Sequence, residues 1–229
     1  MNVDAEPSPG SPRPLRIVLV DDHELMRLGI AHLIRSRPEW ELCGEASACL
    51  EAIELIREQS PDLAIVDLRL ARGDGLDLIK RVRDSVRSCR VLVLSAQDEE
   101  LFAERALRAG AQGYVNKQDP LPTLIEAIER VLGGRIYLSQ RMTDRILASR
   151  SNSAALTKSP LEVLSDRELE VFERLGRGLT AKEIATEMHL SIKTIEYHRQ
   201  NIKQKLNLSG SSAVVRQATA YVLGRGNGQ

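Results

Sequence analysis

The stretch RIVLVDDHELMRLGI, residues 16–30, decides how the first half of the chain folds. The apolar run Ile17–Val20 predicts a short buried strand, and apolar residues at helical spacing follow it. Between them stand two adjacent aspartates, Asp21 and Asp22. One aspartate is expected to cap the helix that begins near Glu24. Because the second must repel the first, the pair indicates either solvation at a strand end or a cation held between carboxylates.

The alternation of strand and helix continues to about residue 132. Strands are predicted at Ile17–Val20, Glu41–Glu45, Leu63–Asp67, Val91–Ser95 and Gly113–Asn116. Helices are predicted at Leu25–Arg35, Cys49–Gln59, Asp77–Ser85, Glu99–Ala109 and Leu121–Leu132. Five such repeats predict an α/β fold, a five-stranded doubly wound parallel sheet with helices on both faces. Such a sheet binds ligands at the carboxyl ends of its strands.

The remaining segments predict a second domain and its connection. Residues 1–14, rich in Pro, Ser and Gly, predict a disordered tail before an α/β domain at 15–133. Residues 134–160 predict a connecting helix capped by Ser139 and then a polar linker. Residues 161–225 predict a small all-α domain of four helices, at Asp166–Leu175, Ala181–Met188, Ile192–Leu206 and Ser211–Val222.

Composition limits the class of protein and its partners. The 229 residues are 42% hydrophobic and 28% charged, which is typical of a soluble globular protein. The formal net charge is zero, so a nucleic acid must be bound by a local basic patch. Three cysteines without ligand spacing argue against a disulfide framework and a zinc site. Without a signal peptide or a membrane-spanning apolar run, we expect a cytoplasmic protein with no membrane partner.

Polar residues gather at the predicted strand ends. Asp21 and Asp22 follow the first strand and Asp67 ends the third, so three carboxylates should meet at one rim of the sheet. Mg²⁺ is the cation that best suits such oxygen ligands. Ser95 and Lys117 end the fourth and fifth strands and supply a hydroxyl and an ammonium. Together these groups suit a phosphorylated carboxylate, with Asp67 as the nucleophile, although each residue alone is more often a cap or a solvated side chain.

These residues resemble the receiver domain of two-component response regulators. The resemblance rests on VDDHELMRLG, on Asp67 in IVDLRL with Gly75 eight positions later, on Ser95 and on GAQGYVNK. It implies that a sensor histidine kinase phosphorylates Asp67. It further implies Mg²⁺ ligands in Asp21 (through water), Asp22, Asp67 and the carbonyl of Arg69, and phosphoryl-binding or switch residues in Ser95, Lys117 and Tyr114. Where the family usually has Met-Pro, this chain has Leu70 and Ala71, which predicts a more mobile loop.

The second domain carries a helix-turn-helix pattern. Thr180 and Ser191 are suited to cap two successive helices. The second helix is expected to turn Ile192, Ile195, Ile202 and Leu206 inward and to expose polar and charged residues. From Lys182 onward, seven Lys or Arg residues stand against three acids. This local positive charge suits DNA, although a helical module that binds protein would show the same spacing.

Residues 164–208 resemble the DNA-binding domain of LuxR-type regulators, and their sequence is LSDRELEVFERLGRGLTAKEIATEMHLSIKTIEYHRQNIKQKLNL. A receiver followed by this domain is the arrangement of the NarL/FixJ family of response regulators. The resemblance implies DNA contacts from Lys182, Lys193, Thr194, Glu196, Tyr197, Arg199, Gln200 and Lys203. Many relatives have lysine in place of Glu196, so this carboxylate either accepts a hydrogen bond from cytosine or pairs with Lys193 or Arg199.

The sequence therefore predicts a transcription factor switched by phosphorylation, which binds a two-fold symmetric operator as a homodimer. Two alternatives remain at this point. A metal-dependent phosphohydrolase would use the same aspartate nucleophile, but Arg69 stands where such enzymes tend to carry a second acid. A signalling adaptor would bind protein through its helical domain and show no salt-dependent affinity for DNA.

Overall fold

A computed structural model of the chain describes residues 13–70, 73–151 and 163–226. The chain divides into two compact units, one up to Ala148 and one from Ser149 onward. Most of the predicted tail, residue Ala71 and the linker from residue 152 lie outside the described residues. No helix in the described ranges has the length and apolar character needed to cross a membrane.

The first unit is built on five parallel strands. They are β1 (Leu15–Val20), β2 (Trp40–Ala46), β3 (Leu63–Val66), β4 (Arg90–Ser95) and β5 (Gly113–Asn116). Their order in the sheet is β2-β1-β3-β4-β5, which confirms the predicted doubly wound fold. Val20 pairs with Val66 and Ser95 with Asn116, so the carboxyl ends of neighbouring strands lie at one rim.

Helices follow each strand and cover the sheet. They are α1 (Glu24–Arg35), α2 (Cys49–Gln59), α3 (Gly75–Ser85), α4 (Glu99–Ala109) and α5 (Leu121–Leu132). Apolar residues of α1 and α5 join alternate residues of β1, β3 and β4 in one buried core. Helix α2 packs on α3, and α3 on α4. Because the inner strands are buried on both faces, their sequences are continuous apolar runs.

A short extension follows α5 and ties the connecting helix to this unit. Tyr137 donates its backbone N–H to Gln112 and accepts the N–H of Tyr114, so it pairs with the outer side of β5. The connecting helix α6 (Gln140–Ser151) then begins, and the Ser139 hydroxyl accepts the N–H of Met142 at 3.1 Å, as a cap should. Both Arg141 and Arg145 of α6 form ion pairs with Glu100 of α4.

The second unit is helical. Its helices are α7 (Asp166–Gly176), α8 (Ala181–Glu187), α9 (Ile192–Lys205) and α10 (Ser211–Gly226). Reciprocal capping boxes start α7 and α8, formed by Ser165 with Glu168 and by Thr180 with Glu183. Helix α7 is the central element, and α10 packs so closely on it that a Cβ at Gly176 would lie 2.5 Å from the carbonyl oxygen of Ala218.

Two local predictions are wrong. Asp21 does not cap α1: the cap position is His23, which makes no side-chain cap bond, and Asp21 accepts the His23 N–H at 2.8 Å before the helix begins. Ile192 does not face inward, since half of its surface is exposed while Ile195 and Ile202 are fully buried. Ile192 lies on the first turn, about 60° round the helix from Ile195, so the buried stripe is narrower than the sequence pattern suggests.

Candidate functional site: an acidic pocket and a recognition helix

The predicted carboxylates do meet at the rim of the sheet. Asp21 and Asp67 are almost completely buried and Asp22 is half-buried. One ligand atom from each of these three, together with one from His23, can be chosen so that all four lie within 4.8 Å of one another. The β1 and β3 ends bring them together, since Asp67 donates its backbone N–H to Val20 at 2.9 Å. The strand order therefore accounts for the pocket.

Lys117 enters this pocket from the end of β5. Its Nζ lies 2.6 Å from Asp67 Oδ2 and 2.7 Å from Asp21 Oδ2. Burial alone would lower the pKa of Lys117, but the two carboxylates hold it above its ordinary value. Burial raises the pKa of Asp67, the charge of Asp21 adds to that shift, and the Lys117 ammonium does not cancel it. The pocket thus holds more negative charge than one ammonium neutralises.

The turn after β3 wraps the Asp67 side chain. The backbone N–H of Arg69 donates to Asp67 Oδ1 at 3.0 Å. Helix α3 begins immediately beside it, and a Cβ placed on Gly75 would lie 2.5 Å from the carbonyl oxygen of Asp67 and 2.5 Å from Leu68 Cα. Only a glycine allows the helix to start this close to Asp67.

Ser95 and Tyr114 lie behind the pocket. Both are buried, and the Ser95 hydroxyl accepts the N–H of Gln97 at 3.3 Å. The Tyr114 hydroxyl points inward and donates to the carbonyl of Gln97 at 2.8 Å. Burial raises the pKa of this phenol well above its ordinary value, so it remains a donor. Asn116 donates to the same carbonyl at 3.2 Å.

The donor set fits Mg²⁺. Three carboxylates supply the oxygen ligands that a hard divalent cation prefers. Their mutual repulsion, together with the raised pKa of buried Asp67, is what a second cation beside Lys117 would relieve. Two participants are absent from the sequence prediction, namely His23 and the Gln97 carbonyl. His23 has a positional signal, since it directly follows the aspartate pair and its Nδ1 lies 3.0 Å from Asp22 Oδ1.

In the second unit, α8, the turn after it and α9 form the helix-turn-helix. His189 in the turn has a positive φ of 51°, and Ser191 caps α9 by accepting the N–H of Thr194 at 3.1 Å. The side chains of Ile195 and Ile202 are fully buried and hold α9 in the core of this unit. Seven of the eight predicted DNA-contact residues lie on α9; Lys193, Glu196, Tyr197 and Gln200 are exposed, whereas Thr194, Arg199 and Lys203 are half-buried. The eighth, Lys182, is exposed on α8.

The charges of α9 are partly paired within the helix. Arg199 Nη1 lies 2.7 Å from Glu196 Oε1, which is one of the two pairings open from the sequence. This contact removes much of the repulsion that a lone carboxylate would exert on DNA phosphates. Lys205 at the end of α9 instead bonds buried Glu168 of α7 at 2.7 Å. Lys205 therefore ties α9 to α7, whereas Lys182 and Lys193 near the start of the motif are exposed.

Known proteins match both units. The response regulator receiver domain matches residues 17–129, and the bacterial regulatory proteins of the luxR family match residues 162–218. The oxygen regulatory protein NreC of Staphylococcus carnosus is 32% identical over 209 residues, covering 89% of this chain and 96% of NreC.

Solved structures agree with these matches. A two-component response regulator of the LuxR family from Aurantimonas sp. SI85-9A1 is 36% identical, with a TM-score of 0.56, over 60% of this chain and 99% of that one. RcsB of Salmonella enterica serovar Typhimurium, bound to the rprA promoter with a phosphomimetic, has a TM-score of 0.59 over 90% of this chain and 99% of that one. At 23% identity RcsB shows a common fold only.

The fold, the acidic pocket and these matches define a response regulator that joins a receiver to a LuxR-type DNA-binding domain. The chain belongs to the NarL/FixJ family of two-component response regulators. It is a transcription regulator whose DNA binding is controlled by phosphorylation, and it is not a classical enzyme. These matches favour a DNA-binding regulator over the hydrolase and the protein adaptor.

Proposed function

We propose that Asp67 accepts a phosphoryl group from a sensor histidine kinase and that this modification controls binding of a homodimer to a two-fold symmetric operator. The observation that carries the proposal is the ion pair of buried Asp67 with Lys117, at 2.6 Å, inside a cluster of carboxylates. Groups of like charge held together in a pocket are typical of functional sites. This arrangement favours a reactive carboxylate.

Asp67 acts as the nucleophile. One of its carboxylate oxygens forms a bond to phosphorus while the phosphorus–nitrogen bond of the kinase phosphohistidine breaks, and the leaving imidazole takes up a proton. The ammonium of Lys117 already touches the reacting carboxylate and is placed to bind a phosphoryl oxygen next. The hydroxyl of Ser95, at the end of the adjacent strand, is the second donor.

Asp22, Asp67 and the Arg69 carbonyl would hold Mg²⁺, with Asp21 acting through water. The ion would neutralise charge on the phosphoryl oxygens as the bond forms. Asp21 also has a second task, since it shares the Lys117 ammonium with Asp67 and so keeps that donor in the pocket.

The switch links the pocket to the loop between β4 and α4. Gln97 accepts bonds from Tyr114 and Asn116, and its own N–H bonds to Ser95. A phosphoryl group that draws the Ser95 hydroxyl toward Asp67 would lengthen the last of these bonds. We therefore propose that phosphorylation resets this loop and helix α4, and shifts the population toward the dimer.

On DNA, α9 is proposed to enter the major groove as the recognition helix. Glu196, Tyr197 and Gln200 then contact base edges, while the cations and Thr194 contact phosphates. The two recognition helices of a dimer would lie one helical turn apart on a symmetric operator. A DNA partner also supports the predicted cytoplasmic location.

Intact-protein mass after incubation with acetyl phosphate and Mg²⁺ tests the phosphorylation step. We expect a gain of one phosphoryl group that requires the metal and is absent in Asp67→Asn. Asp77→Asn is a matched control, because Asp77 is exposed on α3 and should leave the gain unchanged. Phosphorylation of folded Asp67→Asn, or its loss in Asp77→Asn, would contradict the assignment.

A further inference from the structure

Ile192 is a large apolar side chain that lies at the surface of the second unit and adds little to its core. It is 50% exposed, although its neighbours in the sequence pattern, Ile195 and Ile202, are fully buried. Among the described residues from 163 onward, the exposed large hydrophobic side chains are Val163, Ile192, Tyr197 and Leu223. Two of these four lie on α9.

The position of Ile192 places it on the surface proposed to meet DNA. It is the first residue of α9, and the first turns of a recognition helix are the part that approaches base edges. Glu196 lies one turn further along and about 40° round the helix, and Gln200 continues the same exposed row. Ile192 therefore lies in line with two side chains proposed to contact bases.

The chemistry of the groove limits what Ile192 can contact. Base edges and phosphates are hydrogen-bonding or charged groups, and isoleucine can bind neither. The C5 methyl group of thymine is the apolar feature that the major groove offers. We propose that Ile192 is a specificity residue that packs against a thymine methyl in each half-site. The inference rests on the proposed role of α9 as the recognition helix.

The paired charges beside Ile192 support this contact. Arg199 neutralises Glu196 on the side of the helix where Ile192 lies. An unpaired carboxylate there would hold water and repel phosphates, whereas a paired one lets the apolar side chain approach the groove. Tyr197, 64% exposed, gives α9 a second apolar surface for the same groove.

The test uses the full chain, phosphorylated with acetyl phosphate, and an operator selected from random DNA. Each thymine of the operator is replaced in turn by deoxyuridine, which lacks only the methyl group. We expect one thymine per half-site whose replacement weakens wild-type binding about fourfold, or about fifteenfold when both half-sites are changed. Ile192→Ala should bind more weakly and show no further loss at that thymine.

Val163→Ala is the matched control, because Val163 is exposed to a similar degree in the same unit but lies outside α9. It should keep the full response to deoxyuridine. Two results would overturn the inference without affecting DNA binding itself. One is a wild-type affinity that no deoxyuridine replacement changes, and the other is an Ile192→Ala chain that loses as much affinity at that thymine as the wild type does. Failure to select any operator would overturn the proposed role of α9 and the inference together.

Discussion

Gly75→Ala should destabilise the receiver unit through a collision next to the phosphoacceptor. The added methyl carbon would lie 2.5 Å from both the Asp67 carbonyl oxygen and Leu68 Cα. Non-bonded carbons in contact lie about 3.5–4.0 Å apart, so the start of α3 or the turn after β3 must move by about 1 Å. Both colliding atoms belong to the backbone and cannot rotate away. We expect a loss of about 2 kcal/mol in the free energy of unfolding.

The control is Gly29→Ala, a second glycine-to-alanine change within a helix of the same unit. A Cβ at Gly29 meets nothing within 4 Å. Alanine has the higher helix propensity, so this variant should gain about 0.5–1 kcal/mol. The same chemical change is thus expected to have opposite signs at the two positions.

Urea unfolding followed by tryptophan fluorescence measures both effects. Trp40 is the sole tryptophan of the chain and is buried in the first unit, so its signal reports that unit alone. The midpoint of Gly75→Ala should fall by about 1 M and that of Gly29→Ala should rise. A neutral or stabilising Gly75→Ala would refute the collision and, with it, the close start of α3. A Gly75→Ala chain that still folds should also be phosphorylated more slowly by acetyl phosphate.

Three further predictions concern other parts of the molecule. Lys182→Ala should reduce the slope of log affinity against log salt by about 1, because one phosphate contact is lost; Lys80→Ala should leave the slope unchanged in the same filter-binding titration. Burial lowers the pKa of His198 below the ordinary histidine value of about 6.5. The unfolded state therefore binds the proton more readily, and α9 should lose hydrogen-exchange protection as the pH falls below about 6.5. His198→Gln should lack that pH dependence. An equal loss of protection in the variant and the wild type would show that His198 is not its cause. Glu100→Gln should speed hydrogen exchange in residues 140–148, and the free energy of opening there should fall by less than about 1 kcal/mol because the two arginines are largely exposed. Glu104→Gln should not change this exchange, since Glu104 pairs with Arg108 within α4.

Much of the fold was predictable because its signals are local. The runs Leu63–Val66 and Gly113–Asn116 are apolar and short, and helices such as Glu99–Ala109 show their bounds in caps and apolar spacing. Asp67 and Lys117 can be predicted to meet because parallel strands end at a common rim, and the strand order places their side chains 2.6 Å apart. Ser95 ends the strand beside Asp67, but its hydroxyl lies behind the pocket and bonds to Gln97. These conclusions needed only the direction of the chain and the side-chain repeats, which are about 3.6 residues in a helix and about two in a strand.

What the sequence could not predict depends on distant partners. The row of apolar residues on α9 has the spacing of a buried stripe, and only the folded structure shows that this stripe begins at Ile195 and leaves Ile192 exposed. Helix α7 shows the opposite difference, because charged residues that the sequence would place on the surface are buried. They are Glu168, Glu170, Glu173 and Arg174. Glu168 can be buried because Lys205, 37 residues away in the sequence, bonds to it. A single sequence gives no sign of that pairing.

The backbone pairing of Tyr137 determines where the receiver can be cut. The receiver match ends at residue 129, yet Tyr137 covers the outer side of β5 by bonding to Gln112 and Tyr114. A fragment that stops after α5 would leave this edge strand with unpaired N–H and carbonyl groups, which is the kind of surface that recruits a strand from another molecule. Self-association of such a fragment would then result from the missing residues and should not be mistaken for the proposed regulatory dimer.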